Sequence, residues 1–225
     1  MSHTPVRGLF LDLDGTLALS DDLVHGVYQD FLRAHGRRGG QSEYESLLAR
    51  PIRQWIVVLK QRHALIPTEA ALRQEFAGLL EQRYPGHSRL APGAEELLTE
   101  ARTRGIFTVV VTSAASILVE DFLRRHSLTD LVRTVVAADD VVLGKPDPEP
   151  YLKALGLAGL QPAQVLAVED SPNGAKSALA AGLATYLIVN DDEARLPSLP
   201  GLAGIIRGLP QLMPLLDASG TRSDL

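Results

Sequence analysis

Leu9-Phe10-Leu11-Asp12-Leu13-Asp14-Gly15-Thr16-Leu17 is the stretch that decides the fold. An apolar run stops at two carboxylates one residue apart, then meets a glycine and a threonine. A run that is apolar on both faces predicts a buried parallel strand. Open α/β sheets place their ligand sites at the carboxyl ends of such strands. Acids at the margin of a core are costly unless a cation or a reaction needs them. The pattern points to a metal-assisted reaction with an aspartate nucleophile.

From about Gly105 onward, strand and helix patterns alternate. Ile106–Val111 is apolar and β-branched and ends in Thr112-Ser113, and Ser116–His126 follows with helical spacing. Val132–Ala138, Gln164–Val168, Ala184–Val189 and Gly204–Ile206 read as further strands. Pro148–Leu155 and Gly174–Ala181 read as helices, the second closed by Gly182 as a C-terminal cap. Such alternation predicts an α/β domain with a doubly wound parallel sheet.

Residues 20–88 offer no strand pattern. Leu23, Val27, Phe31 and Leu32 recur at helical spacing, as do Ile52, Ile56 and Leu59, and Leu72, Phe76, Leu79 and Leu80. Thr68 begins a capped helix, and Tyr84-Pro85-Gly86 marks the return to the sheet. The expected organisation is a core domain of residues 1–19 and 89–225, with a small helical domain of residues 20–88 inserted after the first strand. Trp55 reads as core of the insert.

Composition narrows the function classes. The chain has 225 residues and 45% apolar content, enough to bury a proper core. It lacks cysteine, which excludes a disulfide scaffold, a thiolate nucleophile and a cysteine metal site. The net charge of -5 is mild, and Arg37-Arg38 and Arg124-Arg125 are only short basic pairs, so no nucleic-acid partner is expected. Met1–Arg7 has no apolar signal core, and no window approaches a transmembrane length. The expectation is a soluble cytoplasmic protein with no membrane partner, as a monomer or small homo-oligomer.

In a parallel sheet all strand ends meet on one edge. Asp12, Asp14, Thr112, Ser113, Glu169 and Asp170 therefore gather there, with Lys145 supplied by a loop. An oxygen-rich acid cluster suits a hard cation such as Mg2+. A metal, a lysine and backbone N–H groups at a helix start together suit a phosphate.

Asp12-Leu-Asp14-Gly-Thr16, Thr112-Ser113, Gly144-Lys145-Pro146-Asp147 and Glu169-Asp170-Ser171-Pro-Asn-Gly174 resemble the ordered motifs of the haloacid dehalogenase-like hydrolases. The nearest subgroup by resemblance is the phosphoglycolate phosphatase and β-phosphoglucomutase-like enzymes. The resemblance implies a Rossmann-like core, a helical cap made by the insert, and a small phosphorylated metabolite as substrate.

It also implies roles. Asp12 is the nucleophile that becomes an aspartyl-phosphate. Asp14 is the acid for the leaving oxygen and then the base for water. Mg2+ is held by Asp12, the Asp14 carbonyl and Asp170, with Glu169 either a further ligand or a capping partner of Ser171. Thr112, with the Ser113 and Ala114 N–H groups, holds phosphoryl oxygens, and Thr112 also suits a helix N-cap. Lys145 offsets charge between phosphate and Asp12. In the insert, Arg50, Arg53, Lys60 and Arg73 are candidates to grip a second anionic group, Arg50 and Arg53 foremost.

The reaction class expected is phosphate ester hydrolysis. The alternative is a phosphosugar mutase, which resembles this chain less, because Ala18–His25 lacks the acid expected near Leu19 and has His25 one place late. Haloacid dehalogenation is disfavoured by Asp14, and a non-catalytic binding role by the intact acid set.

Overall fold

The computed structural model describes residues 5–48, 52–189 and 199–216. The chain divides into two compact units, Met1–Ala18 with Leu90–Leu225, and Leu19–Arg89.

The first unit is built on a six-stranded sheet in the order β5-β4-β1-β6-β7-β8. Its strands are β1 (Gly8–Leu11), β4 (Phe107–Val111), β5 (Thr134–Val136), β6 (Val165–Glu169), β7 (Ala184–Ile188) and β8 (Gly204–Ile206). All neighbours run parallel. β1 lies centrally, with Leu11 opposite Val110 of β4 and Val168 of β6. The order winds outward from β1 on one side through β4 and β5, then on the other through β6, β7 and β8. The carboxyl ends of β4, β1 and β6 therefore flank the point where the winding reverses, the usual ligand crevice of such sheets.

Helices α5 (Ala94–Thr103), α6 (Ser116–Arg125), α7 (Glu149–Ala158) and α8 (Pro172–Ala180) connect these strands, and a short α9 (Met213–Leu216) follows β8. One core cluster joins Phe10, Val109, Val111 and Ala167 of the sheet to Tyr151 and Ala154 of α7 and Ala178 of α8. All four residues of β1 are buried, as a central parallel strand requires.

Most of the expected elements form, with shifted ends. The strand at Val132–Ala138 shortens to Thr134–Val136, because turns take both ends. Leu131 and Val132 donate to the Leu128 carbonyl, while the Asp140 carboxylate accepts from Ala137 N–H. The α8 helix starts earlier than expected, capped by Ser171, whose hydroxyl accepts from Gly174 N–H at 3.1 Å. Gly182 follows it at φ +81°, the left-handed position expected of it. α5 has no counterpart in the sequence reading.

The second unit holds α1 (Asp21–Ala34), α2 (Gln41–Leu48), α3 (Ile52–His63) and α4 (Glu69–His87). Two further short strands, β2 (Ala18–Leu19) and β3 (Arg89–Leu90), pair with each other. Thr68 caps α4 as expected, its hydroxyl accepting from Ala71 N–H at 3.2 Å. α4 continues through Pro85 to His87, beyond the break expected at Tyr84-Pro85-Gly86. Pro85 brings no N–H, but the bond it forgoes lies in the last turn, where few residues beyond it depend on the ladder. Trp55 is core, 2% exposed, and meets Tyr44 and Phe76 edge to face. No helix among the described residues is long and apolar enough to cross a membrane.

Glu43 of α2 ties this unit together. Its carboxylate accepts from Tyr28 Oη at 2.7 Å, lies 3.0 Å from His63 Nε2, and pairs with Arg62 at 3.5 Å. Burial opposes the charge, but these partners hold the Glu43 carboxyl below its ordinary value. A depressed carboxyl contributes stability above its unfolded value, and that contribution fades as pH falls through the folded value. Glu43→Gln is expected to cost about 1–3 kcal/mol near neutrality. In chemical denaturation the gap to the parent chain should close below about pH 4.3, the ordinary glutamate value. An equal gap in acid and at neutrality would refute this role.

Candidate active site

Three adjacent strand ends carry the polar groups. Asp12 follows the last residue of β1, Thr112 follows the last of β4, and Glu169 is the last of β6. Asp12 N–H continues the β1–β6 ladder by donating to Val168 carbonyl at 3.0 Å. The ladder therefore sets Asp12 beside Glu169. Both are buried, Glu169 fully and Asp12 to 6% exposure, with Asp170 half-buried next to them.

Lys145 resolves the charge. Its Nζ donates to Asp12 Oδ1 at 2.6 Å and to Val111 carbonyl at 2.8 Å, and also pairs with Glu169 Oε1. Burial works against the ammonium, yet the Asp12 and Glu169 carboxylates hold the Lys145 pKa above the ordinary lysine value. Burial in turn pushes the Asp12 and Glu169 carboxyls up, against the pull of Lys145. The loop that delivers Lys145 is fastened on both sides. Before it, the Glu149 carboxylate accepts from Val142 and Leu143 N–H; after it, Ser177 Oγ donates to Asp147 carbonyl at 2.5 Å.

Asp14 is half-buried in a tight turn. The Leu13 carbonyl accepts from the N–H groups of Thr16, Leu17 and Ala18 and so folds the chain back after Asp12. Gly15 sits in that turn at φ +84°, where an L side chain is strained. A Cβ there would also run into the Asp170 carboxylate, and one on Gly174 into the Glu169 carboxylate. Two glycines thus open the space that two acids fill.

Thr112 is buried, and its hydroxyl oxygen accepts from Ala114 N–H at 3.0 Å. That leaves the hydroxyl hydrogen to be donated elsewhere. Ser113 is exposed and Ala114 half-buried. Thr112 is not a helix cap: α6 begins four residues later, with Ser116 N–H accepted by Asp139. Glu169 is no capping partner either, since Ser171 caps α8 alone by its own hydroxyl.

Asp12, Glu169 and Asp170 each offer a carboxylate oxygen, all within 4.8 Å of one another. Glu169 Oε2 is buried with no hydrogen-bond partner. Three carboxylates so close, one with an orphaned buried oxygen, fit a hard divalent cation.

The candidates in the insert fare differently. Arg50 lies outside the described residues, as does the side chain of Arg53. Lys60 Nζ donates to Leu65 carbonyl at 2.8 Å and to Pro67 carbonyl, closing the end of α3. Arg73 pairs with Glu69 one turn back at 3.1 Å. Both thus engage partners within the insert. His25 packs its ring 4.6 Å from Tyr44, with Nε2 3.3 Å from the Gln29 amide nitrogen. These are packing contacts within the helical unit.

Tyr151 is a site residue absent from the sequence reading. It is fully buried in α7, and its hydroxyl donates to Glu169 Oε1 at 2.6 Å. The usable signal was a tyrosine at a core position six residues beyond Lys145, because a buried phenol needs a partner.

A family model described as haloacid dehalogenase-like hydrolase matches residues 6–182. Hexitol phosphatase A of Escherichia coli (strain K12) is 31% identical over 211 residues, 92% of this chain and 93% of that protein. Protein CbbY of Rhodobacter capsulatus is 30% identical, covering 81% of this chain and 85% of that one. The crystal structure of CbbY from Rhodobacter sphaeroides in complex with phosphate superposes with a TM-score of 0.81 at 25% identity, covering 92% of this chain and 96% of that one.

Lys145→Met tests the electrostatics directly. It leaves Asp12 and Glu169 buried together without an ammonium, expected to cost about 3–5 kcal/mol in urea denaturation near neutrality. The loss should shrink as pH falls and one carboxyl takes up a proton. Undiminished stability at neutrality would show the pairing to be energetically idle.

Proposed function

The chain belongs to the haloacid dehalogenase-like hydrolases, and on that premise we propose that it is a Mg2+-dependent phosphatase of small phosphorylated metabolites. The observation that carries the reading is the Lys145 ammonium between Asp12 and Glu169, with Asp170 alongside, at the carboxyl edge of a parallel sheet. Relatives named hexitol phosphatase A and phosphoglycolate phosphatase support a phosphoric monoester hydrolase acting on a sugar phosphate or a phosphoglycolate-like acid, for which we propose a cytoplasmic location.

The proposed mechanism has two in-line phosphoryl steps. A carboxylate oxygen of Asp12 attacks phosphorus, and the bond from phosphorus to the ester oxygen breaks. Asp14, entering protonated, gives its proton to that leaving oxygen, so a neutral alcohol departs. Water then attacks the aspartyl-phosphate. Asp14, now ionised, takes the water proton, the bond from phosphorus to Asp12 breaks, and inorganic phosphate leaves. Thr112 and Ser113 hold phosphoryl oxygens by donated hydrogen bonds, and Lys145 offsets charge between phosphate and Asp12 while negative charge spreads over the phosphoryl oxygens. Asp12, the Asp14 backbone carbonyl and Asp170, with Glu169 directly or through water, would hold Mg2+, which would supply positive charge against phosphate. Selection of the rest of the substrate falls to the helical unit acting as a cap, with Arg50 and Arg53 holding a second anionic group.

His25 bears on the mutase alternative. A mutase reading needs this histidine for proton transfer, whereas its contacts to Gln29, Tyr28 and Tyr44 give it a packing role. That favours hydrolysis.

Purified protein should release phosphate from p-nitrophenyl phosphate and from some members of a panel of hexitol phosphates, hexose phosphates and phosphoglycolate. Activity should require Mg2+ and vanish with EDTA. Asp12→Asn should stay folded and lose at least about a thousandfold in kcat. Asp14→Asn should lose about 10²–10⁴-fold, the span of general acid–base catalysis. Full turnover by folded Asp12→Asn would remove the nucleophile assignment. Isomerisation of β-glucose 1-phosphate without phosphate release would favour the mutase instead.

A further inference from the structure

Tyr151 has no part in the two phosphoryl steps, yet it spends a polar atom in the core. A phenylalanine would fill the same space without a hydroxyl to satisfy. That hydroxyl donates to Glu169 Oε1 at 2.6 Å, and Lys145 Nζ pairs with the same oxygen. Lys145 Nζ also stands 5.5 Å over the centre of the Tyr151 ring.

Both donors converge on one carboxylate oxygen. A carboxylate oxygen has about two lone-pair sites, so Oε1 is saturated. Oε2 is buried and has no hydrogen-bond partner. It faces the space that Gly174 leaves open, and Glu169 belongs to the acid group whose members each offer one carboxylate oxygen within 4.8 Å of the others. We propose that Tyr151 is a positioning residue for the divalent-cation site: it pins Glu169 by Oε1 and so reserves Oε2 for the cation, directly or through a bound water. Lys145 alone cannot do this, because its remaining hydrogen bonds go to Asp12 and Val111. The proposal rests on the metal-dependent reading above.

The test is equilibrium binding of Mn2+ to the whole chain, followed by electron paramagnetic resonance without substrate. Outer partners of metal-ligating carboxylates typically change metal affinity by about 10–100-fold. Tyr151→Phe should weaken Mn2+ binding by about tenfold with little change in Tm, since the ring still fills its place. Glu169→Gln should also weaken it. In the Glu169→Gln background, Tyr151→Phe should then add less than about twofold, because the group it positions has already been altered. A merely structural tyrosine would lower Tm and add the same factor in both backgrounds, which overturns the proposal. So does an unchanged Mn2+ affinity in Tyr151→Phe. Failure of the parent chain to bind Mn2+ overturns the metal reading itself, and the proposal with it. If Tyr151→Phe does not fold, Tyr151→Met removes the same hydroxyl and is read by the same two measurements.

Discussion

The buried Lys145 ammonium is the interaction on which this structure depends. Parallel register forces Asp12 and Glu169 side by side at the edge of a dry core, where two like charges repel and neither is well solvated. One ammonium answers both and spends its third hydrogen bond on the Val111 carbonyl. Its three partners belong to the ends of β1, β6 and β4. The same charge that makes the acids tolerable therefore staples the three central strands where the chemistry is proposed to occur. Replacing any one partner alters the environment of the other two, which is why the site behaves as a unit.

The surrounding backbone serves that unit. The Leu13 carbonyl gathers three N–H groups and turns the chain sharply directly after Asp12. Ser171 starts α8 directly after Asp170, and Ser177 on the same helix holds the loop of Lys145. α7 contributes Glu149 to that loop at its first turn and Tyr151 to Glu169. Two helices and three strands are thus tied to one another through polar contacts at a single edge. The apolar cluster of Phe10, Val109, Ala167 and Ala178 lies beneath them.

The strand ends were legible because each closes an apolar run. Asp12, Thr112 and Glu169 announce themselves by interrupting hydrophobicity, and parallel topology alone gathers them. Lys145 was legible only through its Gly-Lys-Pro-Asp setting, since nothing local separates it from a solvated lysine. Tyr151 was hidden because an aromatic on a helix reads as packing, and its hydroxyl partner is distant in sequence. The α2 helix was missed for a different reason: among its described side chains only Tyr44 and Leu47 are buried, too few for a clear period. Lys60 and Arg73 looked available as anion grips because their local partners, a helix-end carbonyl and a glutamate one turn away, are invisible to a search for charge alone. Thr112 resembled a cap because strand ends and helix starts share residue preferences. The intervening residues 113–115 separate the two roles.

Gly15 and Gly174 carry one further consequence. Each leaves a hole that the side chain of a catalytic-edge acid enters, Asp170 beside Gly15 and Glu169 beside Gly174. The negative charge of the site is thus recorded twice in the chain, once as acids and once as missing side chains next to them. A descendant that abandoned the chemistry would be released from both records. It could trade the acids for neutral residues and then fill the hole at Gly174, where alanine in α8 would even strengthen the helix, whereas Gly15 would still be held by its positive φ. In that sense the two glycines are a second signature of the acids beside them, written in what the chain leaves out.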